Sequence, residues 1–362
     1  MDVYWKQRIT QTKEFLDRVW NLEDLPRPAY QINPMVEPAD TMLARFNDPE
    51  RMLQHQLKEI EARRDIEDDY IPALFPYLGT VIFPSAFGCQ VKWFEDQDPW
   101  ALPLITDDPN QVYELEQPQV TDGLLGRVLD YTRYLYQRTE GRFPIRMTDI
   151  QGPLDVAYLI WHSEDFLVAM YTNPQEVHHL MEMVTELIIE FIKAQRTLVT
   201  DFIPCHYPPI YMPDGLGVAI SDDALAVLSP GLYEEFGLPY VNRIAEAFNG
   251  VFIHSCGNFV HNLHNLTRVT KLRGLDFAAG ETPFEAVAER FGGKALLSVR
   301  LGLNKEIHFQ NIPAFVEHVL KSKTTNQGLF LVINTWYSLP GSGRPWREGD
   351  TEEICALIRR CG

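Results

Sequence analysis

Short apolar runs alternate with longer amphipathic segments along most of this chain. The apolar runs predict strands, and the intervening segments repeat apolar residues at the three- and four-residue spacing of helices. The predicted strands lie at residues 80–87, 143–149, 217–220, 250–256, 274–279, 295–301 and 329–334. Strands that alternate with helices in this way are typical of βα units around a parallel sheet.

Proline marks the start of several predicted helices. Residues 173–174 (Asn-Pro) and 229–230 (Ser-Pro) each place a capping residue before a proline, and Pro283 opens a third amphipathic segment. Proline suits the first helical position because the N–H that it lacks would have no partner there. Residues 1 to about 70 are charged and have the apolar spacing of helices. This part of the chain therefore predicts a helical segment before the βα units.

The predicted fold class is α/β. Periodicity does not decide between a closed barrel and an open sheet, but the chain has neither a glycine-rich dinucleotide fingerprint nor a P-loop, which are common features of open sheets. The simplest architecture is a (β/α)8 TIM barrel over residues 76–362, with residues 1–75 as an N-terminal helical extension packed on it.

Composition narrows the function classes. The 362 residues are 45% hydrophobic and carry a formal net charge of −18, which argues against a nucleic-acid partner. The sequence contains no apolar run of membrane-spanning length and no signal-peptide core at its start. Its five cysteines are scattered and odd in number, which fits a reducing compartment. We expect a cytoplasmic protein with no membrane partner.

The segment GVFIHSCGN, residues 250–258, carries the clearest chemical signal. Its apolar start predicts a buried strand, and side chains two positions apart on a strand share a face. His254 and Cys256 therefore point the same way at the strand's end. An imidazole and a thiolate are ligands that Zn²⁺ prefers, and the carboxyl ends of barrel strands are where chemistry occurs. The pair predicts a zinc site.

A catalytic zinc usually has three protein ligands and one open position. Glu281 is the preferred third ligand because it follows the next predicted strand and would reach the same mouth. The other candidates are Asp276, Cys89, and the adjacent pair Cys205 and His206.

Several polar residues end other predicted strands. Asp149 and Gln151 would line the mouth, the first as a catalytic group and the second as a substrate contact. Asp222 and Asp223 follow a short apolar run, and one of them is a candidate general base; Asp223 is the preferred residue, with capping of the next helix as the alternative. Arg300 lies among apolar residues, and a buried cation needs a partner. It would either pair with a carboxylate such as Asp276 or bind an anionic substrate.

The last predicted strand also ends in polar and aromatic residues. Asn334, a candidate catalytic residue, shares a strand face by spacing with Trp336, which would stack on a flat or cationic ligand or fill the core. Arg344 and Arg347 follow in a loop rich in glycine and proline that is a candidate lid.

Four segments together resemble the uroporphyrinogen decarboxylase family. They are DIQGPLDVAYLIW (149–161), YTNPQEVHHLMEMVTELIIEFIKAQ (171–195), ISDDALAVLSPGLYEEFGLPYVNRI (220–244) and IHSCGN (253–258). The resemblance implies a (β/α)8 barrel with its active site at the carboxyl-end mouth. It also implies one of two branches: cofactor-free decarboxylases, or zinc-dependent methyltransferases that move methyl groups between corrinoid proteins and thiols or other acceptors.

The motifs favour the methyltransferase branch. The decarboxylase branch has an arginine-rich loop of the type RQAGRY near its start, and this chain has no such loop, although it has Arg45, Arg51, Arg63 and Arg64 in that region. The methyltransferase branch has a His-x-Cys pair, which His254 and Cys256 match. That branch also carries a cysteine on a late strand, where this chain reads VINTWYSLPGSG. The missing cysteine leaves the ligand set incomplete.

The resulting hypothesis is a zinc-dependent methyltransferase-like enzyme that activates a thiol or similar small-molecule acceptor, with a corrinoid protein as candidate methyl donor and partner. Two alternatives stay open. One is a metal-free decarboxylase or lyase in which Arg146, Asp223 and Arg300 bind and protonate a carboxylated substrate. The other is a non-catalytic barrel that binds a corrinoid or tetrapyrrole.

Overall fold

A computed structural model describes residues 3–302, 309, 311–335 and 349–361. Fifteen α-helices are assigned in this part of the chain. They are α1 Val3–Trp20, α2 Met42–Asn47, α3 Pro49–Glu61, α4 Ile82–Ala86, α5 Gly123–Arg138, α6 Pro153–Ile160, α7 Ser163–Thr172, α8 Pro174–Arg196, α9 Ala224–Val227, α10 Pro230–Phe236, α11 Leu238–Ala247, α12 Leu263–Leu266, α13 Phe284–Phe291, α14 Ile312–Ser322 and α15 Asp350–Cys361. None of these helices is long and apolar enough to cross a membrane.

The strands of the described residues form a six-stranded sheet, a further parallel pair and an antiparallel pair. They are β1 Ala29–Asn33, β2 Gln90–Lys92, β3 Trp100–Leu102, β4 Ile145–Arg146, β5 Phe202–Ile203, β6 Val218–Ser221, β7 Val251–His254, β8 Leu272–Ala278, β9 Leu296–Arg300 and β10 Leu329–Asn334. Six of them pair in the order β1-β10-β9-β8-β7-β6, and every pair in that sheet is parallel. The pair β4–β5 is also parallel, and the pair β2–β3 is antiparallel.

Backbone contacts close this sheet into a barrel. The N–H of Asp69 donates to Tyr30 O of β1 at 2.9 Å, so the segment that includes Leu74 lies beside β1. Leu74 forms a parallel bridge to β4, which pairs with β5. The N–H of Ala219 in β6 then donates to Pro204 O at 2.8 Å. The N–H of Ser221 in β6 also donates to Ile150 O, just after β4, at 2.9 Å, so β5 and β6 pair in succession with the same segment and together occupy one position. The fold is the predicted (β/α)8 barrel.

Burial explains why the central strands read as continuous apolar runs. All residues of β6, β7, β9 and β10 are buried, as expected for parallel strands that are covered by helices outside and by side chains inside. The polar residues of these strands occur mainly toward their carboxyl ends, at Ser221, His254, Arg300 and Asn334. The mouth at that end is therefore the polar part of the interior.

The Asn-Pro and Ser-Pro signals predict the starts of two helices correctly. Asn173 and Pro174 stand at the start of α8, whose buried face spans the helix. Ser229 accepts a hydrogen bond from the N–H of Leu232 at 3.4 Å and so caps α10. This contact supplies a partner for one of the N–H groups that a helix start leaves unpaired.

Two expectations about the first part of the chain were wrong. Residues 80–87 do not form a strand: α4 lies there, with Pro84 in its first turn, where no N–H is required. Short buried runs read alike as strand or helix. The first 70 residues are not helical throughout, because β1 pairs with β10 within the barrel. The boundary at residue 75 stays a proposal, although α1 is a helical N-terminal element as predicted.

Candidate metal centre

The end of β7 places His254 in a buried network of charges. Its Nδ1 lies 2.6 Å from Oδ2 of Asp276 on β8, the next strand. Arg300 donates from Nε to the same oxygen at 2.9 Å, and Ser298 donates to Oδ1 at 2.7 Å. Asp276 is fully buried and accepts three hydrogen bonds, so it fixes the orientation of the imidazole and leaves His254 Nε2 directed away from it.

These contacts determine the charges in the network. Burial alone favours the neutral imidazole, but the hydrogen bonds to Asp276 and Cys256 outweigh it and raise the pKa of His254 to about 9. Burial would raise the pKa of Asp276, yet the charge of Arg300 and the hydrogen bond from His254 hold that pKa below its usual value. Arg300 therefore pairs with Asp276, one of the two outcomes predicted from the sequence.

Three potential metal ligands converge above this network. Cys256 Sγ lies 3.5 Å from His254 Nε2, and Asp223 Oδ1 lies 4.0 Å from the same nitrogen. The donor atoms of these residues are all within 4.8 Å of one another. His254 is 7% exposed at its side chain, whereas Asp223 is 48% exposed and Cys256 is also exposed. The donors thus face the mouth of the barrel.

The donor types suit a zinc ion, and one of the distances already matches. With zinc bonds of 2.0–2.3 Å, a tetrahedral site separates nitrogen and sulfur donors by about 3.5 Å, which is the distance from His254 Nε2 to Cys256 Sγ. Asp223 Oδ1, at 4.0 Å from the same nitrogen, would have to move closer, because nitrogen and oxygen donors of such a site are about 3.4 Å apart. Nitrogen, sulfur and carboxylate oxygen are all zinc ligands, and three of them leave a fourth position open. The bond from His254 Nδ1 to Asp276 is the usual support for a metal-binding histidine.

The third donor that converges is Asp223 and not Glu281. Oε2 of Glu281 accepts a hydrogen bond from the N–H of Gly257 at 2.7 Å, and the residue is 8% exposed. Glu281 therefore orders the loop after Cys256. Gly257 has a φ of +82°, and a Cβ there would lie 2.8 Å from the Cβ of Ala226. Both the backbone conformation and the space require glycine at this position.

Asp223 was predicted as a base or a helix cap, and its side chain does not cap α9. Its Oδ1 accepts a hydrogen bond from the N–H of Cys256 at 2.6 Å. This contact connects the loop after β6 to the loop after β7 and holds the carboxylate beside the thiol.

Tyr207 and Arg300 line one side of the donor group. The ring of Tyr207 meets the imidazole of His254 edge-on, with 4.6 Å between ring centroids. Arg300 lies over the same tyrosine ring at 5.6 Å, and one of its nitrogens is 3.6 Å from Cys256 Sγ. Nothing in the pattern around Tyr207 signalled this role, because it lies outside the predicted strands.

Asp149 and Gln151 form a second polar group. Gln151 donates to Oδ1 of Asp149 at 2.5 Å, and burial raises the pKa of Asp149 to about 6. His206 Nε2 lies 3.9 Å from the same oxygen and 3.0 Å from Oγ of Ser221. Ser221 pairs in register with His254 and forms a bridge with Gln151. This group therefore lies on strands next to the donor group.

Asn334 is buried at the end of β10. Its Oδ1 accepts a hydrogen bond from Nδ2 of Asn33 at 2.7 Å, and Gln31 donates to Asn33 Oδ1 at 2.7 Å. Asn334 thus belongs to a chain of amides between β10 and β1, and its catalytic role stays a prediction. Trp336, Arg344 and Arg347 lie outside the described residues.

Two acids lie behind Asp223: the buried Asp222, which the sequence offered with Asp223 as a base or a helix cap, and Asp155, which it did not. Tyr233 donates to Oδ2 of Asp222 at 2.6 Å, and burial raises the pKa of Asp222 to about 7. Asp155 accepts hydrogen bonds from the N–H groups of Asp223 and Ala224. Asp155 lies within the segment DIQGPLDVAYLIW, and no spacing in the sequence relates it to Asp223.

The first part of the chain matches a known family. The family model described as Uroporphyrinogen decarboxylase (URO-D) matches residues 35–203. Uroporphyrinogen decarboxylase from Xanthomonas campestris pv. campestris (strain B100) is 27% identical over 184 residues, which cover 48% of this chain and 47% of that protein. Uroporphyrinogen decarboxylase from Xanthomonas axonopodis pv. citri (strain 306) is 27% identical over 183 residues, with 47% of each covered. The predicted resemblance to the uroporphyrinogen decarboxylase family is confirmed.

The extent of these matches is limited. The chain spans about half the length of the curated relatives it matches. Residues 35–203 include Asp149 and Gln151 but neither His254 nor Cys256. The family-model match therefore does not bear on His254 and Cys256, whose arrangement is known from the structure of this chain alone.

A solved structure resembles this chain over almost its whole length. The methyltransferase from Methanosarcina mazei superimposes with a TM-score of 0.67 at 15% identity, and the match covers 96% of this chain and 98% of that one. At 15% identity, the superposition shows that the two proteins share a fold. It confirms the barrel architecture.

Proposed function

We propose that this chain is a zinc-dependent methyltransferase-like enzyme that acts on a thiol or similar small-molecule acceptor. The observation that carries the proposal is the convergence of Asp223, His254 and Cys256 at the mouth, with His254 held from behind by Asp276. Zinc bound there would supply a positive charge that favours the thiolate form of an acceptor thiol. The methyl donor that we propose is a corrinoid, carried by a partner protein.

The chain's own residues would bind the acceptor and move its proton. Asp276 keeps Nε2 of His254 directed at the donor group. Tyr207 and Arg300 would bound the space for the acceptor on one side. Asp149 is our candidate for accepting the thiol proton. Burial raises its pKa to about 6, which is close to neutral pH, as a general base requires. Gln151 would orient that carboxylate through the 2.5 Å hydrogen bond.

A methyl-transfer assay tests the proposal. The purified protein is incubated with methylcobalamin, as a free corrinoid probe, and with a simple thiol, and the methyl thioether is measured by mass spectrometry. The proposal predicts product that depends on added zinc and falls at least 100-fold in His254→Ala. A matched control is His261→Ala, because His261 bonds to Leu228 O. Product formed equally by the His254 variant, or without metal, would contradict the proposal.

The second candidate is metal-free decarboxylation, which the names of the curated relatives favour. Three of the four arginines at residues 45–64 offer it little support, whereas Arg63 is buried against Tyr70 with two nitrogens that have no hydrogen-bond partner among the described residues. Arg45 donates to Asp40 O, Arg51 pairs with Asp40, and Arg64 pairs with Glu61. Turnover of a porphyrinogen after treatment with a chelator would establish this candidate. Tight binding of a corrinoid or tetrapyrrole with no turnover of any substrate would instead favour the non-catalytic barrel.

A further inference from the structure

Asp155 caps a helix that is not its own. It lies in the first turn of α6, and its Oδ2 and Oδ1 accept hydrogen bonds from the N–H groups of Asp223 and Ala224 at 2.7 and 3.0 Å. Those N–H groups begin α9, for which Asp223 stands at the N-cap position. An aspartate at that position normally uses its own carboxylate to cap the helix. Here Asp155 provides the acceptors.

Because Asp155 caps α9, the carboxylate of Asp223 makes a different contact. Its Oδ1 lies 2.6 Å from the N–H of Cys256 and 4.0 Å from His254 Nε2. An aspartate that capped its own helix would face the backbone of α9 instead. We propose that Asp155 is a positioning residue that orients Asp223 as the third metal donor. This inference rests on the proposed function.

The segment that carries Asp155 is fixed against β6. The N–H of Gly152 donates to Ser221 O at 2.5 Å, and the N–H of Ser221 donates to Ile150 O at 2.9 Å. A Cβ at Gly152 would lie 2.8 Å from Ser221 O, so the close approach of the two backbones requires glycine. Asp155 is therefore held at a constant distance from the loop that follows β6, which a positioning role needs.

Metal affinity tests the inference without relying on activity. Metal-free protein is titrated with Co²⁺, followed by its visible absorption, and with Zn²⁺ in competition with a chromophoric chelator. We expect Asp155→Ala to bind Zn²⁺ about 10–100-fold more weakly than wild type, the usual loss when the support of a metal ligand is removed. Asp155→Asn keeps one acceptor oxygen and should show a smaller loss. Asp165→Asn is the control, because Asp165 lies on α7 and pairs with His162, the residue before that helix.

A double-mutant cycle separates positioning from general damage. If Asp155 acts through Asp223, Asp155→Ala has no further effect on Zn²⁺ affinity in an Asp223→Ala background. Equal fold losses in both backgrounds would overturn the inference, as would wild-type affinity and an unchanged Co²⁺ spectrum in both Asp155 variants. In those cases the proposed function stands. If wild type binds no metal, the proposed function fails and the inference fails with it.

Discussion

Replacing Asp276 with asparagine tests whether charge holds the network behind the metal donors together. Asp276 and Arg300 have side-chain exposures of 0% and 4% and are joined by a 2.9 Å ion pair. Asparagine keeps the shape of the side chain but removes the negative charge and one acceptor oxygen. His254 Nδ1 and Arg300 Nε then share a single neutral oxygen at most. The change leaves the guanidinium buried without a compensating charge.

The expected cost follows from that geometry. Removing one partner of a buried ion pair costs about 3–5 kcal/mol, because the remaining charge has lost its solvation. We expect the free energy of unfolding of Asp276→Asn to fall by this amount in urea denaturation, with an unchanged dependence on urea concentration. Ser298→Ala, which removes one hydrogen bond to the same carboxylate, should cost about 1.5–3 kcal/mol.

A second variant shows whether the cost arises from the unpaired cation. Asp276→Asn combined with Arg300→Met removes the buried guanidinium together with the carboxylate, so the double variant should be more stable than Asp276→Asn by at least about 1 kcal/mol. A loss below about 1 kcal/mol in Asp276→Asn would refute this reasoning. Strict additivity of the two substitutions would also refute it.

Two further predictions concern stability. Burial lowers the pKa of His206 to about 3, whereas an exposed histidine titrates near 6.5, so the unfolded chain binds the proton more readily. The free energy of unfolding therefore falls by up to about 1.4 kcal/mol per pH unit as the pH drops from 6.5 toward 3. In urea denaturation at a series of pH values, His206→Gln should lose less stability in acid than wild type, and equal losses would exclude this role. Gly152→Ala places a Cβ 2.8 Å from Ser221 O and should cost about 1–3 kcal/mol, while Gly231→Ala, where nothing lies within 4 Å, should be neutral or slightly stabilising in the same thermal melts.

The sequence predicted those features of the candidate site that depend only on residues close together along the chain. The i, i+2 spacing of His254 and Cys256 placed both on one face of a strand end, and their side chains do meet. The apolar surroundings of Arg300 required a partner, and Asp276 provides it. Both inferences needed only the strand period and the cost of a buried charge.

The third donor depends on contacts that are distant along the chain. Asp223 and Glu281 both follow strands, so sequence spacing alone does not distinguish them. The direction of the Asp223 carboxylate depends on Asp155, which is 68 residues away. Glu281 is directed to Gly257 by the course of another loop. The tertiary arrangement of the loops decides which carboxylate faces His254 and Cys256, and the periodicity of the sequence does not predict that arrangement.

The same limit applies to residues 80–87 and to β1. Residues 81–84 are consecutive and all buried, and burial without alternation fits a short helix as well as a strand. The strand β1 is only five residues long and lies between charged helical segments. Its identity depends on pairing with β10, at the far end of the described chain.

The central claim is that Asp223, His254 and Cys256 bind a metal ion. The most direct measurement is the metal content of protein purified without chelator, by inductively coupled plasma mass spectrometry. Wild type is compared with Cys256→Ser and with Cys89→Ser, a control because Cys89 lies outside the donor group. We predict about one zinc per chain in wild type and the control, and its loss in Cys256→Ser. Absence of zinc from wild type, or equal zinc in all three proteins, would contradict the claim.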